Sequence, residues 1–179
     1  FWRFSGLIRS VRLTAQPRAH VEDLFAKALL NDDFKDGSLD LSMRLVLPEA
    51  EAVVAKIELT GDSGQEALCV ELPAKPLTQI TLPMASPRKW SAEEPNLYRL
   101  RITLAGPGVV YEAAETMVGF RRFELKGKLM LLNGKRVELR GVNRHEFSAV
   151  GGRTLTEAEM LSDIFEMKRS NINALRTCH

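Results

Sequence analysis

Along most of the chain, hydrophobic and polar residues alternate with a period of two. Leu39, Leu41, Met43, Leu45 and Leu47 are interleaved with Asp40, Ser42, Arg44 and Val46, and the same rhythm runs through Val53, Ala55, Ile57 and Leu59. It continues in Leu68, Val70 and Leu72, and in Tyr98, Leu100, Ile102 and Leu104, where Arg99, Arg101 and Thr103 intervene. Successive side chains of a strand point to opposite faces, so each run predicts a strand with one buried face. Turn-forming stretches separate the runs: Asp32 to Gly37, Gly61-Asp62-Ser63-Gly64, Pro73 to Pro76 and Gly106-Pro107-Gly108. About seven short strands between residues 17 and 121 are the spacing of an immunoglobulin-like antiparallel β-sandwich. Ahead of it, Leu7, Val11 and Leu13 alternate imperfectly with Arg9, Ser10 and Arg12, and residues 1–16 are expected to hold one half-buried strand.

The period changes after Gly119-Phe120-Arg121. Leu129–Leu132, Asn133-Gly134 and Lys135–Leu139 predict a hairpin, because Asn-Gly supplies the two positive φ angles of a type I′ turn. Thr156 and Glu159 match a capping box, and Met160, Ile164 and Met167 follow at helical spacing with Leu161, Phe165 and Lys168. Asn171–Leu175 reads as a further strand. Strand, loop, helix and strand in this order form a βαβ unit, which requires a parallel pair. The expected fold is therefore mainly β, an immunoglobulin-like sandwich followed by an incomplete α/β segment.

Composition narrows the classes. With 45% hydrophobic and 27% charged residues, the 179-residue chain is an ordinary globular sequence, neither disordered nor collagen-like. The 25 basic and 23 acidic residues are interspersed and leave a net charge of +2, which gives no electrostatic footprint for nucleic acid or an anionic membrane. No apolar run reaches the roughly 18 residues that span a bilayer. Cys69 and Cys178 stand far apart without metal-ligand spacing, which fits a reducing compartment, and a cytoplasmic location is expected. Phosphate-binding glycine loops and the G-x-S-x-G elbow of esterases are absent.

The candidate chemistry lies where the βαβ strands end. Asn143, Arg144, His145 and Glu146 follow the first predicted strand, and Arg176 and His179 follow the second. Neighbouring parallel strands open into one mouth, which is the active-site face of α/β proteins. A solvated Arg-His-Glu loop and a core histidine bonded to a backbone carbonyl explain the same residues, and the pattern alone leaves these readings open.

A resemblance weighs in. Leu131-Leu132-Asn133-Gly134-Lys135, Arg140 to Glu146, Asp163, Met167-Lys168 and Asn171 to His179 together resemble the start of the barrel in the β-galactosidases of glycoside hydrolase family 2. The last stretch is similar to the family signature of Asn, any residue, a hydrophobic residue, Arg, two small residues and His. Trp2-Arg3, Ser5-Gly6 and Arg9 resemble the last strand of the family's N-terminal jelly roll. Asn31-Asp32-Asp33-Phe34, Trp90-Ser91-Ala92-Glu93 and Pro95-Asn96-Leu97-Tyr98 resemble its immunoglobulin-like domain, and Gly119-Phe120-Arg121 the exit from it. Cys178 and Ser148 depart from the family pattern.

The resemblance implies three parts: residues 1–16 as the end of a sugar-binding jelly roll, 17–121 as the sandwich, and 122–179 as the first βαβ of a (β/α)₈ barrel. It also implies retaining hydrolysis of a β-galactoside by two glutamates, one acid/base and one nucleophile, about 5 Å apart. Both lie outside this chain, so no catalytic residue is expected in it, and Glu146 is neither of the two. The resemblance further gives His145 and His179 as contacts to the sugar in the −1 subsite and Arg176 as support for the catalytic carboxylates. Donation to sugar hydroxyls suits an Arg or a neutral His, and hydrogen bonds to the sugar that strengthen in the oxocarbenium-like transition state add to catalysis. It implies magnesium and sodium in a homo-oligomeric parent enzyme, with no matching ligand in this chain. Residues 122–179 fall far short of the ~250 residues of a closed barrel. Phe1 and His179 therefore read as cuts through a longer hydrolase, and the chain alone is expected to be inactive. A β-sandwich that binds carbohydrate or protein without chemistry is the competing reading. A β-glucuronidase or β-mannosidase parent also stays open, although Trp90 to Tyr98 and Arg144-His145-Glu146 favour β-galactosidase.

Overall fold

The computed structural model describes residues 6–7, 10–61, 64 and 66–178. They fall into two compact units, one of residues Ala15–Val137, the other of residues 138–178 with the described residues up to 14.

The larger unit is the expected sandwich. Strands β1 (His20–Leu30), β2 (Gly37–Val46) and β5 (Leu77–Met84) form one antiparallel sheet in the order β1-β2-β5. Strands β3 (Val54–Thr60), β4 (Glu66–Pro73), β6 (Tyr98–Gly106) and β7 (Val109–Val118) form the other in the order β4-β3-β6-β7. This is a seven-stranded immunoglobulin-like arrangement in which the fourth strand pairs beside the third. The predicted alternation fills the core: Leu39, Leu41, Met43 and Leu45 of β2 meet Ala55, Ile57 and Leu59 of β3 and Leu100, Ile102 and Leu104 of β6, all at most 3% exposed. Tyr98 packs edge-on against the buried Phe120, ring centroids 5.3 Å apart, and its hydroxyl accepts the Arg88 backbone N–H at 2.9 Å. A tyrosine opening the sixth strand and bonded to upstream backbone is the tyrosine corner of this fold.

The 123–137 segment belongs to this unit and not to the helix-bearing one. Strands β8 (Phe123–Lys126), β9 (Leu129–Leu132) and β10 (Lys135–Arg136) form a three-stranded meander. Its β9–β10 turn is the expected Asn133-Gly134, with φ of 51° and 77°. Asn133 ties the turn to the sandwich: its Oδ1 accepts the Arg122 backbone N–H at 2.9 Å and its Nδ2 donates to the Trp90 carbonyl at 3.0 Å. Gly134 stands against the Phe34 ring, where a Cβ would come within 2.9 Å. Arg122 pairs with Asp32 and lies over the Phe34 ring, and Arg121 lies over Trp90 at 4.8 Å.

The described residues among the first sixteen show no strand. Residues 10–16 have no regular structure, and Leu7, Val11 and Leu13 are 86%, 79% and 102% exposed. A lone alternating segment has no ladder to join, and an isolated strand cannot satisfy its own backbone. Residues 1–5 and 8–9 of that expectation lie outside the described residues. Among the described residues no helix is long and apolar enough to cross a membrane.

Candidate functional site

The smaller unit is a βαβ unit: β11 (Gly141–Arg144), α1 (Glu157–Arg169) and β12 (Ala174–Thr177). β11 and β12 pair in parallel with Gly141 opposite Ala174, Asn143 opposite Arg176 and Arg144 opposite Thr177. Asn143, Arg144 and Arg176, expected beyond the strand ends, therefore lie within the ladder. The Cys178 N–H extends it by donating to the Arg144 carbonyl at 3.1 Å. His145 and Glu146 follow directly after β11. His179 lies outside the described residues.

Local chemistry explains these boundaries. Thr156 caps α1 as expected: its Oγ1 accepts the Glu159 N–H at 3.3 Å, and Glu159 Oε2 accepts the Thr156 N–H at 2.8 Å. The helix ends where Asn171 turns left-handed, with φ of 58°. The Asn171 N–H then donates to Lys168 and the Ile172 N–H to Met167, the paired bonds of a Schellman motif. Asn171 and Ile172, expected in the strand, are thus spent on this cap, and β12 begins at Ala174. Asn173 fixes the register between them, its side chain accepting the Arg140 N–H and donating to the Glu138 carbonyl, both at 2.8 Å.

Arg144 sets the two faces of the small sheet. Its Nε and Nη2 both donate to Asp163 Oδ2 on α1, at 2.9 and 2.7 Å, and its side chain is only 11% exposed. If Arg144 faces the helix, alternation puts its neighbour Asn143, and with it Arg176, on the face away from α1. Asn143 and Arg176 are both exposed, as is His145 beyond them. One side of the parallel pair thus presents an amide and a guanidinium in register, with an imidazole just past the strand end. All three can donate to hydroxyl groups, which suits a polyhydroxylated ligand.

The sequence did not reveal the network behind His145. Ser148, a departure from the family pattern, is 8% exposed. Its hydroxyl donates to Glu159 Oε1 at 2.7 Å and accepts the Gly151 N–H at 3.0 Å. Glu159 is held below the ordinary carboxylate value chiefly by the Thr156 backbone N–H, then by the Ser148 and Thr156 hydroxyls. The only signal in the sequence was the capping box, which gave Glu159 a partner on one side. Among the described residues no cluster of three or more His, Cys, Asp or Glu side chains has a metal-binding arrangement.

A seven-stranded sandwich followed by a βαβ unit is the architecture on which the comparisons bear. Residues 19–121 match the family Glycosyl hydrolases family 2, and residues 123–179 match Glycosyl hydrolases family 2, TIM barrel domain; the chain belongs to this family. Over its full length it is 44% identical to a β-galactosidase of Lactobacillus delbrueckii subsp. bulgaricus and 42% identical to one of Clostridium acetobutylicum. It spans 18% and 20% of those proteins. Among solved structures, Parabacteroides merdae β-glucuronidase matches 91% of this chain with a TM-score of 0.83 at 26% identity, over 22% of its own length. Bacteroides uniformis β-glucuronidase 3 matches 92% of this chain at 25% identity with a TM-score of 0.82, over 20% of its own length.

Proposed function

We propose that this chain is the sandwich and barrel-opening part of a retaining β-galactosidase. Residues 1–16 are the end of a jelly roll, 17–121 the sandwich and 122–179 the first βαβ of the barrel. The identity of 44% to a β-galactosidase over the whole chain carries this reading; the β-glucuronidase structures share the fold at 25–27% identity. In the complete enzyme, two glutamates from later barrel strands perform the acid/base and nucleophilic steps. This chain supplies the sugar contacts of His145 and His179, and Arg176 supports the carboxylates. Hydrogen bonds to sugar hydroxyls that strengthen in the transition state raise the rate, not only the affinity.

The test is a chimera in which this chain replaces the matching segment of the Lactobacillus β-galactosidase. It hydrolyses o-nitrophenyl β-galactoside in preference to the corresponding glucuronide and mannoside, and Arg176→Ala lowers kcat by about 100-fold or more. The 179-residue chain alone gives no rate above a buffer blank. A chimera that prefers the glucuronide, or an isolated chain that turns over the galactoside, overturns the proposal.

A further inference from the structure

The turn from His145 to Phe147 is held at both ends by one helix. At its near end, Arg144 is drawn to Asp163 by two charge-assisted bonds to one oxygen, with most of the Arg144 side chain out of solvent. At its far end, the buried Ser148 hydroxyl donates to Glu159, and Glu159 in turn closes the N-terminal cap of α1 through Thr156. The same Ser148 oxygen also accepts the Val150 and Gly151 N–H groups, at 3.3 and 3.0 Å, which folds the following loop back on itself. The Ser148–Gly152 pair closes that loop with reciprocal backbone bonds of 2.7 and 3.0 Å.

Asp163 and Glu159 lie four residues apart, one helical turn, so both braces originate from neighbouring positions on α1. Helices are stiff over such a span, whereas a three-residue turn without a brace samples many conformations. We infer that Arg144, Asp163, Ser148 and Glu159 are positioning residues that fix the His145 turn on α1, so that His145 meets the sugar in one orientation. The sugar contact itself rests on the function proposed above; the bracing does not. Ser148 is accordingly not a neutral departure from the family pattern but one half of a pair with Glu159.

Two measurements separate the bracing from the function. In the 179-residue chain, hydrogen exchange of the amides of residues 145–152 is followed in the unchanged protein and in Ser148→Ala and Asp163→Ala, two substitutions that remove the bonding group without adding bulk. Bracing predicts about tenfold faster exchange there, with the sandwich amides unchanged; unaltered exchange at 145–152 overturns the inference whatever the activity. In the chimera, with rates expressed per titrated active site, the same substitutions lower kcat/KM by about tenfold, the loss expected when a contact is misplaced by a fraction of an ångström. Asp163→Glu restores most of it. A purely structural role would lower the fraction of titratable sites and leave kcat and KM per site unchanged, and that result also overturns the inference. A chimera inactive before any substitution removes the sugar contact and the function together, and the exchange measurement then decides the bracing alone.

Discussion

Asn133 performs two tasks. Its backbone is left-handed, and its side chain joins the Arg122 N–H to the Trp90 carbonyl. The Asn-Gly pair was readable in the sequence as a turn because turn chemistry is local. The bridging was not, since Trp90 and Arg122 reach the turn only through the folding of the sandwich. The two tasks separate by substitution. Asn133→Gly keeps the φ angle and loses both side-chain bonds, for a destabilisation of about 1–2 kcal/mol. Asn133→Ala also forces a Cβ-bearing, non-Asn residue into the left-handed region and costs about 1 kcal/mol more. Urea unfolding of the chain followed by circular dichroism measures both. Equal losses for Gly and Ala would mean that the backbone conformation contributes nothing, and no loss in either would mean that the bridge is idle.

At the scale of elements, the sequence was most informative where one face is buried. The alternation in β2, β3 and β6 fixed which side chains enter the core, because a slip of one residue would turn every one of them outward. A similar pattern at Val11 and Leu13 carries no strand among the described residues 10–16. The helix was legible from its cap, but its ends depended on Asn171 adopting a conformation that the strand-like run Asn171–Leu175 concealed. The cap also sets a pH response. Glu159 titrates below its ordinary value near 4.5 because three donors favour the carboxylate, so its contribution to α1 is complete above that value. That contribution disappears as the pH falls through the lowered value in the folded protein. In an acid titration the ellipticity at 222 nm should hold through pH 4.5 and drop below it. Glu159→Gln, which cannot ionise, should start lower and show no such step. A wild-type step centred above pH 4.5 would reverse the sign and exclude the cap as its cause.

Across the whole molecule, the sequence placed the change of architecture at residue 121, where the two family matches also divide, and the β8–β10 meander just beyond it still groups with the sandwich in the compact unit Ala15–Val137. Residue patterns did not show that packing: the meander alternates like any hairpin, and the contacts of Asn133, Gly134 and Arg122 with Trp90, Phe34 and Asp32 reveal what it packs on. The consequence concerns stability. The sandwich unit holds every fully buried large side chain, from Leu39 to Phe120, whereas α1 buries none of its residues. In the smaller unit Leu139, Val150, Leu161, Ile164, Phe165 and Leu175 are 41–99% exposed. At roughly 1.5–3 kcal/mol for each large apolar side chain fully buried, that unit forgoes most of the driving force that would order it. Local opening should therefore concentrate there. Brief trypsin digestion should cut first after Arg12 in the irregular 10–16 segment and between residues 138 and 178, where Arg140, Arg153, Lys168, Arg169 and Arg176 offer sites. The surviving product should extend past Arg122, because the bonds from Asn133 to Arg122 and Trp90 shield the bonds after Arg121 and Arg122. Mass spectrometry of the resistant product reads this directly. A product ending at Arg121 or Arg122 would return the meander to the barrel side, and an intact 138–178 segment would show that the exposed apolar residues do not weaken it.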